Sequence, residues 1–232
     1  MESAVEADPR QVLDRVTWAS LTGPHARFAE RRGRAIRYHP QIAPFVALED
    51  PDDERCWADA ADLVGPAGSV VLLPGPTHAP AGWKQVFGEE CSLFVETAVE
   101  ARPDPEAVVL GPDDVPDILD LVARTKPGPF LPRTVELGTY LGIRRDGTLI
   151  AMAGERQHPP GWTEVSAVCT DPEYRGQGLA ARLICAVVAG INERGERAFL
   201  NVLSQNASAI RVYESLGFTP WTHGWVTAFQ RL

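Results

Sequence analysis

Apolar and polar positions along the second half of the chain alternate between the period of a strand and that of a helix. Strand-like runs are predicted at 108–110, 140–144, 148–156, 162–170, 198–203 and 225–229. Apolar stripes at helical spacing follow Asp113 or Asp114, the segment 175–180, and Asn206. The order strand, helix, three-strand meander, helix, strand, helix, strand predicts a mixed α/β sheet with helices packed on its faces.

The first hundred residues give a weaker pattern. Strands are predicted at 44–48 and 69–73, with a helix at 53–63 between them. We expect this region, 1–100, to form a smaller α/β layer packed on the main sheet. The segment 101–106 carries Pro103 and Pro105 among polar residues and is expected to link it to a C-terminal domain at 107–232.

Length and composition add bounds to this picture. The chain has 232 residues, of which 44% are hydrophobic, so it can bury the core of one large domain or two small ones. No apolar run approaches the roughly 18–20 residues needed to cross a membrane. Residues 1–6 are acidic and lack the basic start of a secretory signal. We therefore expect a cytoplasmic protein without a membrane partner.

The net charge of −9 argues against a nucleic-acid partner. Residues 1–106 carry 10 Lys/Arg and 18 Asp/Glu, whereas 107–232 carry 12 and 13. An acidic half suits a cationic substrate such as an amine, although a solubilising surface gives the same pattern. The four cysteines and five histidines have no metal-site or redox spacing, so we expect no metal and buried thiols.

The segment 175–180, Arg-Gly-Gln-Gly-Leu-Ala, connects the strand at 162–170 to the apolar helix that follows. A helix N-terminus offers about four unpaired N–H groups and roughly half a positive charge. Glycines let the backbone approach a ligand closely, and Arg175 adds a fixed positive charge. Together these features predict a diphosphate site.

Other phosphate loops fit this segment less well. A P-loop needs a Gly-Lys-Ser/Thr ending that is missing here. The dinucleotide fingerprint tolerates Ala181 at its third position, and Glu196 lies at a workable distance. However, the preceding strand belongs to a predicted meander rather than to the first strand of a βαβ unit. A nicotinamide-dependent oxidoreductase is therefore an alternative that rests on the glycines alone.

Arg175, Gly178 and Ala180 match the CoA loop of the GNAT acetyltransferases at every defined position. Three further sets of segments resemble that family: 206–218, with Asn, a helix, Tyr and then Leu-Gly-Phe; 164–172, like its fourth strand; and 125–130 with 151–156. The resemblance covers about residues 107–232. It implies the GNAT acyl-CoA N-acyltransferase fold, with an additional N-terminal α/β region, and an acetyl-CoA-dependent N-acetyltransferase.

The resemblance also implies roles for individual residues. In that fold the fourth and fifth strands splay apart and the CoA arm lies in the gap. The backbone of Val168, Cys169 and Thr170 would bond the pantetheine and polarise the acetyl carbonyl. N–H groups of the loop, at Gly176, Gln177, Gly178, Leu179 and Ala180, would bind the pyrophosphate. Asn206 would contact the pantetheine or cap the last helix, and Tyr213 would give a proton to the departing CoA thiolate.

Acyl transfer also needs a base, because an alkylamine is protonated at neutral pH. Glu164 is the first candidate, acting directly or through water; otherwise it is a solvated strand residue or a structural hydrogen-bond acceptor. Glu155 and His158 are the alternatives. Tyr213 could instead be an ordinary core residue of its helix.

Two further choices remain open at this point. Cys169 could carry the acetyl group covalently, but a buried strand cysteine is the commoner case, and direct attack in a ternary complex is expected. Trp162 and Trp221 could line an acceptor pocket or pack in the core.

The expected function is transfer of an acetyl group from acetyl-CoA to a primary amine of a small molecule or peptide. The alternative is a catalytically inactive acyl-CoA sensor, whose N-terminal region would contact another protein. A homodimer is the assembly we consider for either.

Overall fold

The computed structural model describes residues 8–232; residues 1–7, which include the acidic start at 1–6, lie outside the described part. Residues 8–100 form two α-helices and five strands. In chain order they are α1 (Val16–Thr22), β1 (Ala29–Arg32), β2 (Ala35–Tyr38), β3 (Val46–Leu48), α2 (Glu54–Val64), β4 (Ser69–Leu72) and β5 (Trp83–Glu96). The predicted strands at 44–48 and 69–73 and the helix at 53–63 are confirmed within a few residues. The prediction omits α1, β1, β2 and β5.

The second half follows the predicted order throughout. It contains β6 (Val108–Leu110), α3 (Val115–Thr125), β7 (Tyr140–Arg145), β8 (Thr148–Glu155), β9 (Trp162–Thr170), α4 (Leu179–Glu193), β10 (Arg197–Leu203), α5 (Ala207–Leu216) and β11 (Phe218–Arg231). The last strand begins at Phe218, directly after the helix, and not at 225 as predicted. Asp146 and Gly147 both have positive φ, as the predicted tight turn between β7 and β8 requires.

Eight strands form one mixed sheet in the order β4-β11-β5-β10-β9-β8-β7-β6, and β1, β2 and β3 form a separate antiparallel sheet. The long strand β5 lies between β10 and β11, antiparallel to both. The N-terminal region therefore supplies two strands of the main sheet in addition to its own small sheet. The segment 101–106 connects β5 to β6 within that main sheet.

The main sheet is covered on both faces, and β10 shows the division. Ala198, Leu200 and Val202 join the apolar cluster formed with α4 and α5. Phe199 points to the other face, where it packs with Leu13 and other N-terminal residues. This alternation is that of a strand with both faces buried. The same face of β10 therefore also presents Asn201 toward the N-terminal layer.

Candidate functional site

The strands β9 and β10 run parallel but stay paired over only three residues. Trp162, Thr163 and Glu164 of β9 pair with residues 197–199 of β10. Beyond these pairs the two strands separate, although β9 continues to Thr170 and β10 to Leu203. The facing edges of 165–170 and 200–203 thus border a cleft whose narrow end lies at Glu164.

The backbone of β9 changes direction within this cleft. Ala167 has a φ of +53°, and the pairing of β8 with β9 shifts register between Met152 and Gly154. This is a β-bulge, which re-aims a strand locally. Thr170, at the end of β9, has a buried hydroxyl oxygen without a hydrogen-bond partner among the described residues. An elongated polar ligand along the unpaired edge of β9 would meet its peptide groups.

The glycine loop opens at the wide end of the cleft. Gly176 and Gly178 have φ values of +78° and +73°, in the left-handed region that favours glycine. A Cβ added at either position would meet no protein atom within 4 Å, so both glycines face open space. Helix α4 begins directly after Gly178, and no side chain of the described residues caps it. Its first N–H groups are thus available to an anion.

Two interactions hold the turn that leads into the loop. Asp171 accepts a hydrogen bond from the N–H of Glu173 at 3.0 Å and forms an ion pair with Arg124 of α3. The Nε of Arg175 donates to the carbonyl oxygen of Thr170 at 3.3 Å. The predicted diphosphate residues 175–180 therefore follow a turn that is fixed to the end of β9.

Glu164 lies at the narrow end of the cleft and is fully buried. Its carboxylate accepts hydrogen bonds from Nε and Nη2 of Arg156 at 2.9 and 2.7 Å and from the N–H of Gln157 at 3.2 Å. The Nδ2 of Asn201 donates to it at 2.8 Å. A carboxylate has about four lone-pair sites, and here all four have a donor. This arrangement supports the alternative hypothesis that Glu164 is a structural hydrogen-bond acceptor, and it argues against direct proton abstraction by Glu164.

The surroundings of this buried pair come from the N-terminal region as well as from the main sheet. The guanidinium of Arg156 stacks over the ring of Phe45, with 4.9 Å between Cζ and the ring centroid. Burial, together with the charge of Glu164, raises the pKa of the Cys91 thiol to about 11. Arg156 and Asn201 were not predicted as site residues. The available signals were a polar side chain at 201 inside the apolar strand β10 and a charged one at 156, directly after β8.

Tyr213 and Asn206 lie on the opposite face of the main sheet, at α5. The oxygen of Asn206 accepts a hydrogen bond from the N–H of Ala209 at 3.1 Å, which is the predicted cap. Tyr213 packs edge-on against Phe218, with ring centroids 6.3 Å apart. Burial raises the pKa of Tyr213 to about 12, against a smaller lowering by the charge of Arg156. The phenol therefore keeps its proton at neutral pH.

The other candidate residues have their own partners or are packed in the core. Glu155 is buried and pairs with Arg194 at 2.9 Å. The Nε2 of His158 lies 2.5 Å from Oε1 of Glu196, so this ring nitrogen is hydrogen-bonded to another carboxylate. Trp162 and Trp221 belong to the apolar cluster around Leu13, so core packing is the better description of both. Burial raises the pKa of the Cys169 thiol to about 11, which disfavours a thiolate nucleophile there.

A mixed sheet with two separating parallel strands, a glycine loop and an uncapped helix is the arrangement that the resemblance to the GNAT fold leads us to expect. The comparisons with known proteins agree. The model of the FR47-like protein family matches residues 140–226. The crystal structure of a putative GNAT-family acetyltransferase from Novosphingobium aromaticivorans is 41% identical and superposes with a TM-score of 0.87, covering 95% of this chain and 99% of the other. This chain belongs to the GNAT family of N-acetyltransferases, whose acyl donor is acetyl-CoA.

Named relatives match over shorter segments. A mycothiol acetyltransferase from Thermobispora bispora is 41% identical over 87 residues, which is 34% of this chain and 29% of that protein. The N-alpha-acetyltransferase RimI of Mycobacterium tuberculosis is 35% identical over 82 residues, 34% of this chain and 51% of that protein. The chain thus spans about half or less of the length of these relatives.

Among residues 8–232, no helix has both the length and the apolar character that a membrane span requires. Nor does this part of the chain bring three or more His, Cys, Asp or Glu side chains together as a metal site would require.

Proposed function

We propose that this protein transfers the acetyl group of acetyl-CoA to a primary amine by direct attack in a ternary complex. One observation carries the proposal: a single cleft runs from the uncapped N-terminus of α4 to the group formed by Glu164 and Asn201. One end of the cleft offers N–H groups to a diphosphate, and the other offers polar side chains to an acceptor. The acetyltransferase names of the relatives point to the same reaction class.

In this proposal the diphosphate of CoA binds the N–H groups of residues 176–180, with Arg175 beside it. The pantetheine arm lies along the free edge of β9 and bonds the backbone of Val168, Cys169 and Thr170 as an added strand would. A backbone N–H donor near the acetyl carbonyl stabilises the negative charge that develops on the oxygen in the tetrahedral intermediate.

An alkylammonium gives its extra proton to solvent water, and the free amine then attacks near Glu164. A second proton leaves the nitrogen to solvent as the amide forms, while the thiolate takes one from Tyr213, which solvent reprotonates. Because the four acceptor sites of Glu164 are filled, we assign it the role of a positioning residue in place of the predicted base. Its hydrogen bond fixes the amide of Asn201, whose Nδ2 is thereby committed. The Oδ1 of Asn201 is then the group that accepts a hydrogen bond from the attacking amine.

The CoA thiolate leaves when the tetrahedral intermediate collapses, and Tyr213 is the proposed proton or hydrogen-bond donor. A phenol with a pKa of about 12 is fully protonated at neutral pH, as a donor must be. Cys169 has a thiol pKa of about 11, so less than about one molecule in a thousand would carry its thiolate at pH 7. Direct attack is therefore favoured over an acetyl-cysteine intermediate.

Calorimetric titration with CoA, followed by acetyl-CoA turnover with a panel of primary amines, tests the proposal. We expect CoA binding and acetylated product with at least one amine, with no acetyl-enzyme in the absence of acceptor. Tight CoA binding without acetylation of any amine would favour the inactive sensor. Binding of a nicotinamide dinucleotide in preference to CoA would refute the assignment of the cleft.

A further inference from the structure

A cavity of about 240 Å³ lies on the face of the main sheet that carries Asn201. Its walls come from segments far apart in the chain. They are mainly apolar and include Leu13, Leu73, Cys91 and Leu93. The volume is below the roughly 300 Å³ at which ordinary ligand pockets begin. The cavity is therefore suited to a small molecule or to a single side chain.

Asn201 joins this cavity to the cleft. The residue lines the cavity and also donates through Nδ2 to Glu164, at the point where β9 and β10 separate. A molecule in the cavity can therefore place a donor group on Oδ1 of Asn201 while its body lies between Leu13 and Leu93. This is the position that the proposed function requires of the acceptor amine.

The charges of the lining restrict the chemistry of an occupant. Asp14 is exposed at the rim of the cavity and carries a negative charge, and the described lining includes neither Lys nor Arg. His223 also lines it, but its Nδ1 is hydrogen-bonded to the hydroxyl of Ser92 at 2.9 Å. An ammonium group is attracted to such a rim. A carboxylate would be repelled by Asp14 and would find neither Lys nor Arg in the lining.

We propose that this cavity binds the body of the acceptor, and that the acceptor is a compact primary amine with an apolar body and no carboxylate. The inference rests on the proposed function, because it assigns the substrate class of that reaction. Gly224 is the best place to test it. A Cβ there would lie 3.5 Å from Cβ of Pro74, an ordinary contact, and both residues line the cavity.

Three acceptors separate the outcomes: methylamine, isoamylamine and leucine, the last being isoamylamine with an added carboxylate. Each buried methylene favours binding by about fourfold, so we expect kcat/KM for isoamylamine to exceed that for methylamine by at least about tenfold. The kcat/KM for leucine should be lower than that for isoamylamine by a similar factor. Comparable values for methylamine and isoamylamine, or a preference for leucine, would overturn the inference while leaving acetyl transfer intact.

A peptide N-terminus acetylated more efficiently than isoamylamine would also overturn it. If isoamylamine remains unmodified while another amine of the panel is acetylated, the inference is overturned; if CoA binds and no amine of the panel is modified, the proposed function itself fails. The two failures are distinguishable, because acetylated product still forms when only the inference about the acceptor fails and does not form when the proposed function fails.

Two variants with matched controls test the cavity directly. Gly224→Leu fills it and should reduce the isoamylamine-to-methylamine ratio of kcat/KM by about tenfold or more. Gly111→Leu, at a position where an added Cβ meets nothing within 4 Å, should leave the ratio unchanged. Asp14→Asn should raise the KM for isoamylamine severalfold at low salt and less at high salt. Asp52→Asn makes the same charge change at an exposed position outside the cavity and should leave the KM for isoamylamine unchanged. An unchanged ratio in Gly224→Leu would refute the assignment.

Discussion

Replacing Gly178 by valine is the sharpest test of the diphosphate site. The glycine has a φ of +73° and precedes the first residue of α4, and its missing Cβ would face open space. A β-branched residue is strained in this conformation by about 1–3 kcal/mol. Either the side chain enters the space of the ligand or the loop relaxes and turns its N–H groups away.

The expected loss of CoA affinity follows from those N–H groups. A hydrogen bond to a charged group contributes about 1.5–3 kcal/mol, so losing two of them costs about 3–6 kcal/mol. Since about 1.4 kcal/mol is a factor of ten, Kd for CoA should rise by a hundredfold or more. Isothermal titration calorimetry measures this directly, and urea unfolding gives the stability of the same sample.

Gly195 provides a matched control at the other end of α4. Its φ is +77°, and an added Cβ would likewise meet no protein atom within 4 Å. Gly195→Val should therefore lower the free energy of unfolding by about as much as Gly178→Val does, without weakening the binding of CoA. Asn adopts positive φ readily, so Gly178→Asn separates backbone strain from side-chain intrusion. Wild-type affinity for CoA in Gly178→Val would refute the loop assignment.

Three other substitutions address the remaining groups. Tyr213→Phe should lower kcat by about a hundredfold with unchanged CoA affinity, and full activity in a turnover assay would remove the acid role. Glu164→Gln leaves the buried guanidinium of Arg156 without its counter-charge and should lower the free energy of urea unfolding by about 3–5 kcal/mol; a loss below about 1 kcal/mol, as for an exposed pair, would contradict the buried geometry. Burial lowers the pKa of His25 from 6.5 to about 4. As pH falls from 6.5 to 4, the unfolded chain therefore binds a proton that the folded chain does not, and the free energy of unfolding decreases by up to about 3 kcal/mol. His25→Gln should flatten this acid slope in unfolding experiments, whereas His78→Gln, at an exposed position, should keep it.

The strand, loop and helix that we propose for CoA could be predicted as structural elements because their signals are local. Strand β9 was predicted with the bounds that the structure gives, and α4 was placed directly after the glycines. A glycine pair at a helix start and an Asn three residues before a free N–H are short-range patterns. Their physical cause, positive φ and capping, acts within a few residues of the chain.

The long strand β5 shows where local patterns fail. Its second half, from Cys91 to Val95, is buried on both faces, but its first half is mostly exposed and contains Gly88, Glu89 and Glu90. Those residues disfavour strands in isolation. They are held in one by pairing with β11, more than a hundred residues later, and no window of sequence contains that partner.

The roles around Glu164 were ambiguous for the same reason. A single carboxylate in an apolar strand is compatible with a base and with a structural acceptor. The choice depends on Arg156 and Gln157, directly after β8, and on Asn201 from β10, which together supply the four donors. Residues 8 and 37 positions away decide the chemistry of this side chain.

The two halves of the site therefore differ in how they are encoded. The groups proposed for CoA fall within residues 168–213, inside the 140–226 segment that the family model matches. The acceptor cavity adds Leu13, Asp14 and Leu73, which lie far outside it. The family model thus leaves out the segments that line the cavity from the N-terminal region. Acceptor specificity should then follow the N-terminal region: substitutions at Leu13 or Leu73 should change the choice of amine and leave Kd for CoA unchanged.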